Sequence, residues 1–316
     1  EGRSRVYYHF GRDADFDLKL IGWVRHVRAQ VRQGAQPPHE FLELGHLLHD
    51  PRLFKSKDEL KLMQRAADIS IEAHRAAMRA ARPGVHEYEL QAEVERVFRA
   101  NDAWPAYGSI VGAGANACVL HYRTNNGVAK EGDLVLIDGG AVIGNYASDI
   151  TRTFPVNGRF SPVQRALHDL VGQAQQAALA RALPGQPYEA GHLAAVEVLT
   201  EGLLRLGLLK GSLERNIAEG HYRRFYRHKT GHWLGLDVHD VGDYRIEGES
   251  RLLEPGMAFT IEPGLYVSPD DTSVAEKWRG IGIRTEDDVV ITEQGHRVLT
   301  EGLARSAEEI EAAMAG

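Results

Sequence analysis

The segment Leu134-Val-Leu-Ile-Asp138 is an apolar run that ends in an acidic residue and is followed by two glycines. A second acid stands eleven positions later, in Ser148-Asp149-Ile-Thr-Arg-Thr-Phe154, where polar and apolar side chains alternate. Apolar runs and two-residue alternation are both typical of β-strands, whose side chains point to opposite faces in turn. The spacing therefore predicts two neighbouring antiparallel strands with both acids on the same face.

Three residues in the second half of the chain extend this acidic pair into a set that can bind metals. Glu262 closes the apolar segment Met257–Ile261, Glu286 lies in the strand-like stretch 280–291, and His232 lies between them and the first pair. Four carboxylates and one imidazole suit two hard or borderline divalent cations, because carboxylate oxygens can bridge two metals. Two such metals, roughly 3.5–4 Å apart, polarise a carbonyl group and hold a hydroxide between them. The predicted ligands are Asp138, Asp149, His232, Glu262 and Glu286.

The spacing of two histidines, His228 and His232, raises an alternative kind of metal site. Histidines four residues apart can bind one zinc ion from a single helical turn, as in the HExxH motif. Gly231 and Gly235 argue against such a helix, and Lys229 stands where that motif needs its glutamate. We therefore expect that these two histidines do not form a zinc site of that type.

The composition excludes several classes of protein. Among 316 residues there are 37 Lys and Arg against 44 Asp and Glu, a net charge of −7. An acidic chain is a poor candidate for nucleic-acid binding, whose affinity depends on a basic surface. The single cysteine, Cys118, excludes an intrachain disulfide and fits a reducing compartment. No window approaches the ~20 apolar residues that span a bilayer. We expect a cytoplasmic protein with neither nucleic acid nor membrane as a partner.

The order of the predicted elements indicates two domains, residues 1–55 and residues 56–316. The first contains one amphipathic helix over 16–31 and a Gly- and Pro-containing break over 33–39. Because the chain starts at Glu1 in a polar segment, we interpret residues 1–55 as the remnant of an N-terminal domain. The second reads as two helices and then strands, twice over. This order predicts a duplicated α+β unit with one metal half-site in each copy.

Helix boundaries in the second domain are marked by local signals. The patterns Ser56-Lys-Asp-Glu59 and Ser161-Pro-Val-Gln164 are capping boxes, and each precedes a run with apolar residues at helical spacing. Pro83-Gly84 and Gly207 are predicted stops, because proline and glycine end helices. The tail over 304–315 also reads as a helix.

Several of these stretches resemble the catalytic core of the Xaa-Pro aminopeptidases, or aminopeptidase P. These enzymes are pita-bread metallopeptidases, a group that also includes prolidases and methionine aminopeptidases. The resemblance runs from about Leu53 to the C-terminus and keeps the order Asp, Asp, His, Glu, Glu. It implies duplicated helix-helix-strand units around a curved antiparallel sheet, preceded by a larger N-terminal domain. The stretches that carry it are LVLIDGG (134–140), SDITRTFPVNG (148–158), HKTGHWLGLDVHDVG (228–242), FTIEPGLY (259–266) and GIGIRTEDDVVIT (280–292).

The resemblance implies a dinuclear-metal exopeptidase that releases the N-terminal residue from peptides with proline in the second position. Asp138 would bind one metal, His232 and Glu262 the other, and Asp149 and Glu286 would bridge them. The oxygen-rich ligand set favours Mn²⁺, with Zn²⁺ or Co²⁺ as alternatives. A prolidase acting on Xaa-Pro dipeptides, or a non-catalytic peptide-binding module of the same fold, are the alternative functions. The resemblance is also compatible with a homo-oligomer.

It further implies roles for residues around the metals. Glu262 would act as general base and then general acid. His121, seventeen residues before Asp138, would donate a hydrogen bond to the tetrahedral intermediate. Arg284, two residues before Glu286 and so on the same strand face, would hold a bridging carboxylate by a bidentate pair. It would thus contribute to catalysis by positioning a metal ligand. His239 counts with the catalytic residues and, like His228, would contact substrate. Val238 and Tyr266 would line a proline-sized pocket with His239.

Overall fold

The computed structural model describes residues 2–315, which form two compact units. The smaller unit ends at Arg52 and also contains Val241–Asp243, and the larger unit contains Leu53–Asp240 and the residues from Tyr244 onwards. Among residues 2–315, no helix is both long enough and apolar enough to cross a bilayer.

The smaller unit contains two short parallel strands, β1 (Arg5–Tyr8) and β2 (Glu40–Glu43). Helix α1 (Ala14–Ala29) connects them. The predicted helix is thereby confirmed, although it begins and ends two residues earlier than expected. It starts there because the side chain of Asp13 accepts a hydrogen bond from the Phe16 amide at 3.0 Å. No residue of α1 is buried. The strand pair was not predicted, since four-residue strands far apart in sequence leave no local signal.

The helices of the larger unit carry the predicted caps. In both capping boxes the cap amide donates to the side chain three residues on, from Ser56 to Glu59 at 2.7 Å and from Ser161 to Gln164 at 2.9 Å. Both helix starts are thereby confirmed. Helix α2 (Gly45–Leu53) belongs to the smaller unit except for its last residue. The helices of the larger unit are α3 (Lys57–Ala80), α4 (Glu87–Ala100), α5 (Pro162–Leu179), α6 (Glu189–Arg205), α7 (Leu213–Ala218) and α8 (Ala307–Ala315).

Two groups of strands follow the two helix pairs, which confirms the predicted α+β order. The first group is β3 (Trp104–Pro105), β4 (Ile110–Ala113), β5 (Leu134–Asp138), β6 (Ala141–Ile143), β7 (Tyr146–Ala147) and β8 (Thr151–Pro155). The second is β9 (Arg245–Ile246), β10 (Glu249–Ser250), β11 (Ala258–Ile261), β12 (Gly264–Val267), β13 (Ile281–Arg284), β14 (Asp287–Thr292) and β15 (Gly295–Val298). All pair antiparallel, in the orders β4-β5-β8, β3-β6-β7, β11-β14-β15, β12-β13 and β10-β9.

The segment that predicted the fold forms the centre of the first group. Strands β5 and β8 are antiparallel neighbours, with Asp138 opposite Thr151. The hairpin of β6 and β7 occupies most of the intervening sequence, so Asp149 lies just before β8 rather than inside it. The two groups meet at one bridge, where the Glu286 amide donates to the Thr151 carbonyl at 3.0 Å. The fold thus brings the start of β8 beside the start of β14.

Candidate active site

The five predicted metal ligands come from strand ends and one irregular segment. Asp138 ends β5, and Glu262 directly follows β11. Glu286 lies between β13 and β14. His232 lies in a segment without regular strand structure, fixed by a bridge between its neighbour Trp233 and Phe259. One ligand atom from each of three residues, Asp149, His232 and Glu286, lies within 4.8 Å of the others.

Glycines beside the ligands allow backbone segments to approach closely. A Cβ atom added to Gly140 would lie 1.8 Å from the Ser148 carbonyl oxygen, which directly precedes Asp149. A Cβ atom added to Gly231 would lie 2.0 Å from the Thr260 carbonyl oxygen. No side chain fits at such distances, so each half of the site depends on a glycine for its geometry.

The ring of His232 is oriented by its own backbone surroundings. Its Nδ1 lies 3.0 Å from the Trp233 carbonyl oxygen, and since a carbonyl only accepts, Nδ1 carries the proton. Nε2 then faces the acids, 3.4 Å from Asp149 Oδ2 and 3.7 Å from Glu262 Oε1. Burial lowers the pKa of His232, but the hydrogen bond and charge of Asp149 and the charge of Glu262 raise it to about 9. The carboxylates around this ring therefore favour a cation at Nε2.

The pKa values of the carboxyl groups show the same demand for positive charge. Burial, with the charge of Asp149 adding to it, raises the pKa of Glu262 to about 7 against the effects of His232 and Arg284. Burial and the charge of Asp149 hold the pKa of Glu286 well above its usual range. Burial also raises the pKa of Asp138, although Arg284 opposes it. Four crowded carboxyl groups beside the Nε2 atom of His232 fit divalent metal ions, which would bring the missing positive charge.

Arg284 is placed differently from the expectation. We expected a bidentate pair with a bridging carboxylate, but its Nη2 donates to Asp138 while Glu286 Oε2 is 4.0 Å from Nε. Glu286 lies beyond the end of β13, where the chain turns its side chain to accept from the Thr151 hydroxyl at 2.6 Å. Nε of Arg284 donates to the same hydroxyl at 3.0 Å, so Thr151 connects the two residues.

Tyr107 is a site residue for which we predicted no role. Its hydroxyl donates to Asp138 Oδ1 at 2.6 Å and also contacts Asp149 Oδ1. Burial, followed by the charges of Asp138 and Asp149, raises its pKa well above the usual value, so the phenol keeps its proton. It therefore fixes the relative orientation of two acids from different elements. A tyrosine before the first strand of the sheet has no local pattern that reveals such a contact.

The two residues predicted beside the proline pocket differ in exposure. Tyr266 is fully buried, and its hydroxyl accepts from Arg284 Nη1 at 2.9 Å and lies 2.9 Å from His228 Nε2. Tyr266 thus contributes to the site through these hydroxyl contacts and does not line a pocket with an exposed ring surface. Val238 is partly buried and packs against a small cluster that includes Leu234.

The predicted substrate histidines lie around the acids. His228 Nδ1 donates to the Lys229 carbonyl at 2.8 Å and is 3.5 Å from Glu262 Oε2. Burial and the charge of Arg284 lower the pKa of His228 to about 3, so this ring is neutral. His239 is exposed and packs edge-to-face against His232, with ring centroids 4.3 Å apart. His121 is exposed, and its charge contributes to lowering the pKa of both other rings.

Comparison with known proteins places this geometry in a family. The model of metallopeptidase family M24 matches residues 61–293. The Xaa-Pro aminopeptidase of Escherichia coli K12 is 44% identical over 314 residues, which cover 99% of this chain and 71% of that enzyme. The Xaa-Pro aminopeptidase of Haemophilus influenzae is 44% identical over 282 residues, 89% of this chain and 65% of the enzyme. The chain thus spans less than the full length of both relatives.

A solved structure gives the same result for the fold. Aminopeptidase PepP of Pseudomonas aeruginosa superposes with a TM-score of 0.97 at 57% identity, over 100% of this chain and 72% of that one. The expected pita-bread fold is thereby confirmed. The family match and these relatives show that the chain belongs to metallopeptidase family M24 and, within it, to the Xaa-Pro aminopeptidases.

Proposed function

We propose that this chain hydrolyses the bond between an N-terminal residue and a proline in second position, with two divalent metal ions, preferably Mn²⁺. The observation that carries the proposal is the convergence of three carboxyl groups on the Nε2 atom of one histidine. The fourth carboxyl group, that of Asp138, is linked to Asp149 through the Tyr107 hydroxyl. The names of the relatives support the substrate class. The proposed ligands are Asp138, Asp149, His232, Glu262 and Glu286.

When bound there, the metals would polarise the scissile carbonyl and lower the pKa of a water molecule. The side chains then have separate tasks. Glu262, which directly follows β11 at the site, would accept a proton and return it to the leaving amine. His121, exposed on the loop before β5, would donate a hydrogen bond to the developing oxyanion. Arg284 and Tyr107 would keep Asp138 in place through the contacts described above.

The substrate would be held by the histidines that border the acids. Exposed His239 can contact the peptide directly, whereas His228 is held between Tyr266 and Glu262. Val238 lies next to His239 in the chain and would add an apolar contact for the proline ring. These roles are assigned by resemblance and by position, and substitution of each residue tests them one at a time.

Activity with two matched peptides tests the proposal. Metal-free protein is reloaded with Mn²⁺, Zn²⁺ or Co²⁺ and given an Xaa-Pro dipeptide or an Xaa-Pro-Yaa tripeptide. We expect release of the first residue from the tripeptide, fastest with Mn²⁺. Cleavage of the dipeptide alone would identify a prolidase. Stoichiometric metal without cleavage of either peptide would identify a binding module.

Alanine variants test how the ligands are shared between the metals. Asp149→Ala and Glu286→Ala each remove a proposed bridge, so we expect loss of at least one metal and of essentially all turnover. Asp138→Ala removes a ligand from one metal only. Elemental analysis that finds two metals on an active Glu286→Ala protein would refute the bridging assignment.

We also propose that residues 1–55 belong to a domain separate from the catalytic residues 56–316. We further propose that the protein resides in a reducing compartment. The division of the structure into compact units after Arg52 and the buried thiol of Cys118 support this. Residues 56–316 expressed alone should then bind metal as the whole chain does. Failure of that segment to fold would move the domain boundary.

A further inference from the structure

Next to the proposed ligand Glu286, a buried ion pair lies on the side away from the metals. Asp287 follows Glu286 in the chain, and alternation along β14 turns its side chain to the opposite face. There its Oδ1 meets Nη2 of Arg152 at 2.8 Å, and both side chains are 0% exposed. The proposed mechanism gives neither residue a task.

The guanidinium of Arg152 is bonded to backbone as well as to Asp287. Its Nη1 donates to the Glu286 carbonyl at 2.6 Å and to the Thr151 carbonyl at 3.0 Å, and its Nε donates to the Ala304 carbonyl at 2.8 Å. The first two carbonyls belong to the bridge at which the two strand groups meet. The planar guanidinium of Arg152 therefore donates hydrogen bonds to both sides of this junction. A guanidinium suits this position because its several N–H donors point in fixed directions.

The carboxylate of Asp287 is fully engaged too. Gln175 Nε2 donates to its Oδ2 at 2.8 Å, the Thr300 hydroxyl donates to its Oδ1, and Arg305 Nε lies 3.3 Å from Oδ2. These donors come from α5 and from the segment between β15 and α8, so Asp287 is held from several elements. A carboxylate with this many donors has a fixed position, and it fixes Arg152 in turn.

We infer that Arg152 and Asp287 are positioning residues that hold the backbone of Glu286 at the metal site and thereby set metal affinity. A buried ion pair is weak evidence for stability, since apolar residues often replace one without loss. The effect of this ion pair on the geometry of the site is specific. If Arg152 no longer bonds the Glu286 carbonyl, the backbone that carries the ligand Glu286 can move. The inference rests on the proposed function, which makes Glu286 a ligand.

Two conservative variants and a stability control test the inference. Arg152→Lys keeps the charge but cannot bond all four oxygens, and Asp287→Asn keeps the shape but removes the charge. Leu199→Ala removes a fully buried apolar side chain of α6, a helix that contains none of the junction residues, and destabilises the fold. Each purified protein is stripped of metal, its thermal unfolding is recorded, and Mn²⁺ affinity is measured by titration calorimetry.

We expect Arg152→Lys and Asp287→Asn to bind Mn²⁺ about 10- to 100-fold more weakly than the parent, the range for partners of metal ligands. Leu199→Ala should unfold at lower temperature with parental affinity. Parental Mn²⁺ affinity in folded Arg152→Lys and Asp287→Asn would overturn the inference, as would an equal loss in Leu199→Ala. If Arg152→Lys does not fold, Asp287→Asn decides alone. Glu286→Ala distinguishes failure of this inference from failure of the proposed function. Unchanged Mn²⁺ affinity in Glu286→Ala would refute the proposed ligand set instead.

Discussion

His121 differs from the five proposed ligands in that its ring is exposed. If it only donates a hydrogen bond to the oxyanion, its removal affects the transition state and not the metals. We therefore expect His121→Ala to lower kcat by about 10²–10³-fold with unchanged metal content. Steady-state kinetics and elemental analysis on the same preparation measure both.

His46→Ala is the matched control, because His46 is an exposed histidine of the smaller unit and should leave kcat unchanged. A loss of bound metal in His121→Ala would show instead that His121 is a ligand.

For individual residues, the sequence predicted metal-binding side chains better than it predicted their hydrogen-bond partners. Acids and a histidine at strand ends pointed to metal binding from residue type alone, and the structure brings three of these together at ligand distance. Tyr107 and Thr151 were missed because an ordinary tyrosine and threonine gain their roles only from partners far away in the chain. The partner of Arg284 was misassigned for the same reason, since strand alternation did not reveal that the chain turns after β13.

Among the elements, the segment that carries His232 is held against the end of β11. The His232 amide donates to the Thr260 hydroxyl at 3.1 Å, and the Thr260 amide donates to the His232 carbonyl at 2.9 Å. Gly231→Ala would place its Cβ 2.0 Å from the Thr260 carbonyl oxygen, and backbone cannot yield as a flexible side chain does. We expect this variant to lose metal and at least 10²-fold in activity, because small displacements of positioned groups have effects of this size.

Gly172→Ala provides the control substitution. Gly172 lies within α5 with open space where a Cβ would go, so alanine should raise the free energy of unfolding by about 0.5–1 kcal/mol through helix propensity. Activity should not change. Full metal content in Gly231→Ala would show that the two segments can separate without disturbing His232.

Helices were predictable because their signals are local. The Ser56 and Ser161 caps lie within four residues of the groups that they bond. Strands of two residues, such as β3 and β7, are too short to show any periodicity, and their pairing partners come from elsewhere in the chain. The hairpin between Asp138 and Asp149 was therefore missed, although the pairing of the longer strands β5 and β8 was correct.

For the molecule as a whole, buried neutral histidines contribute to the response to acid. Burial lowers the pKa of His168 to about 4, with the charges of Arg152 and Arg165 adding to the effect, and burial lowers that of His74 to about 4. As pH falls from 6.5 towards 4, the unfolded chain takes up protons at these residues and the folded protein does not. These two histidines therefore lower the free energy of unfolding across this window, whereas the raised pKa values of Glu262 and Glu286 act in the opposite direction.

His168→Leu tests this pH dependence. Neither ring nitrogen of His168 has a hydrogen-bond partner among the described residues, so leucine should be tolerated at pH 7. The variant should lose less stability than the parent between pH 7 and pH 4, by up to about 3 kcal/mol. Urea unfolding of the metal-free proteins at both pH values measures the difference. Parallel losses in parent and variant would show that His168 takes up its proton in the folded state.

The indole of Trp233 has a practical consequence. It is fully buried, stacks on Tyr244 with ring centroids 5.3 Å apart, and follows His232 directly in the chain. Of the other three tryptophans, Trp23 and Trp104 are more than half exposed and only Trp278 is also buried. Iodide should therefore quench the exposed pair and leave blue-shifted emission from the buried pair. The protein thus contains its own fluorescent probe one residue from the proposed metal ligand, so that filling of the site can be followed by light emission without any added dye.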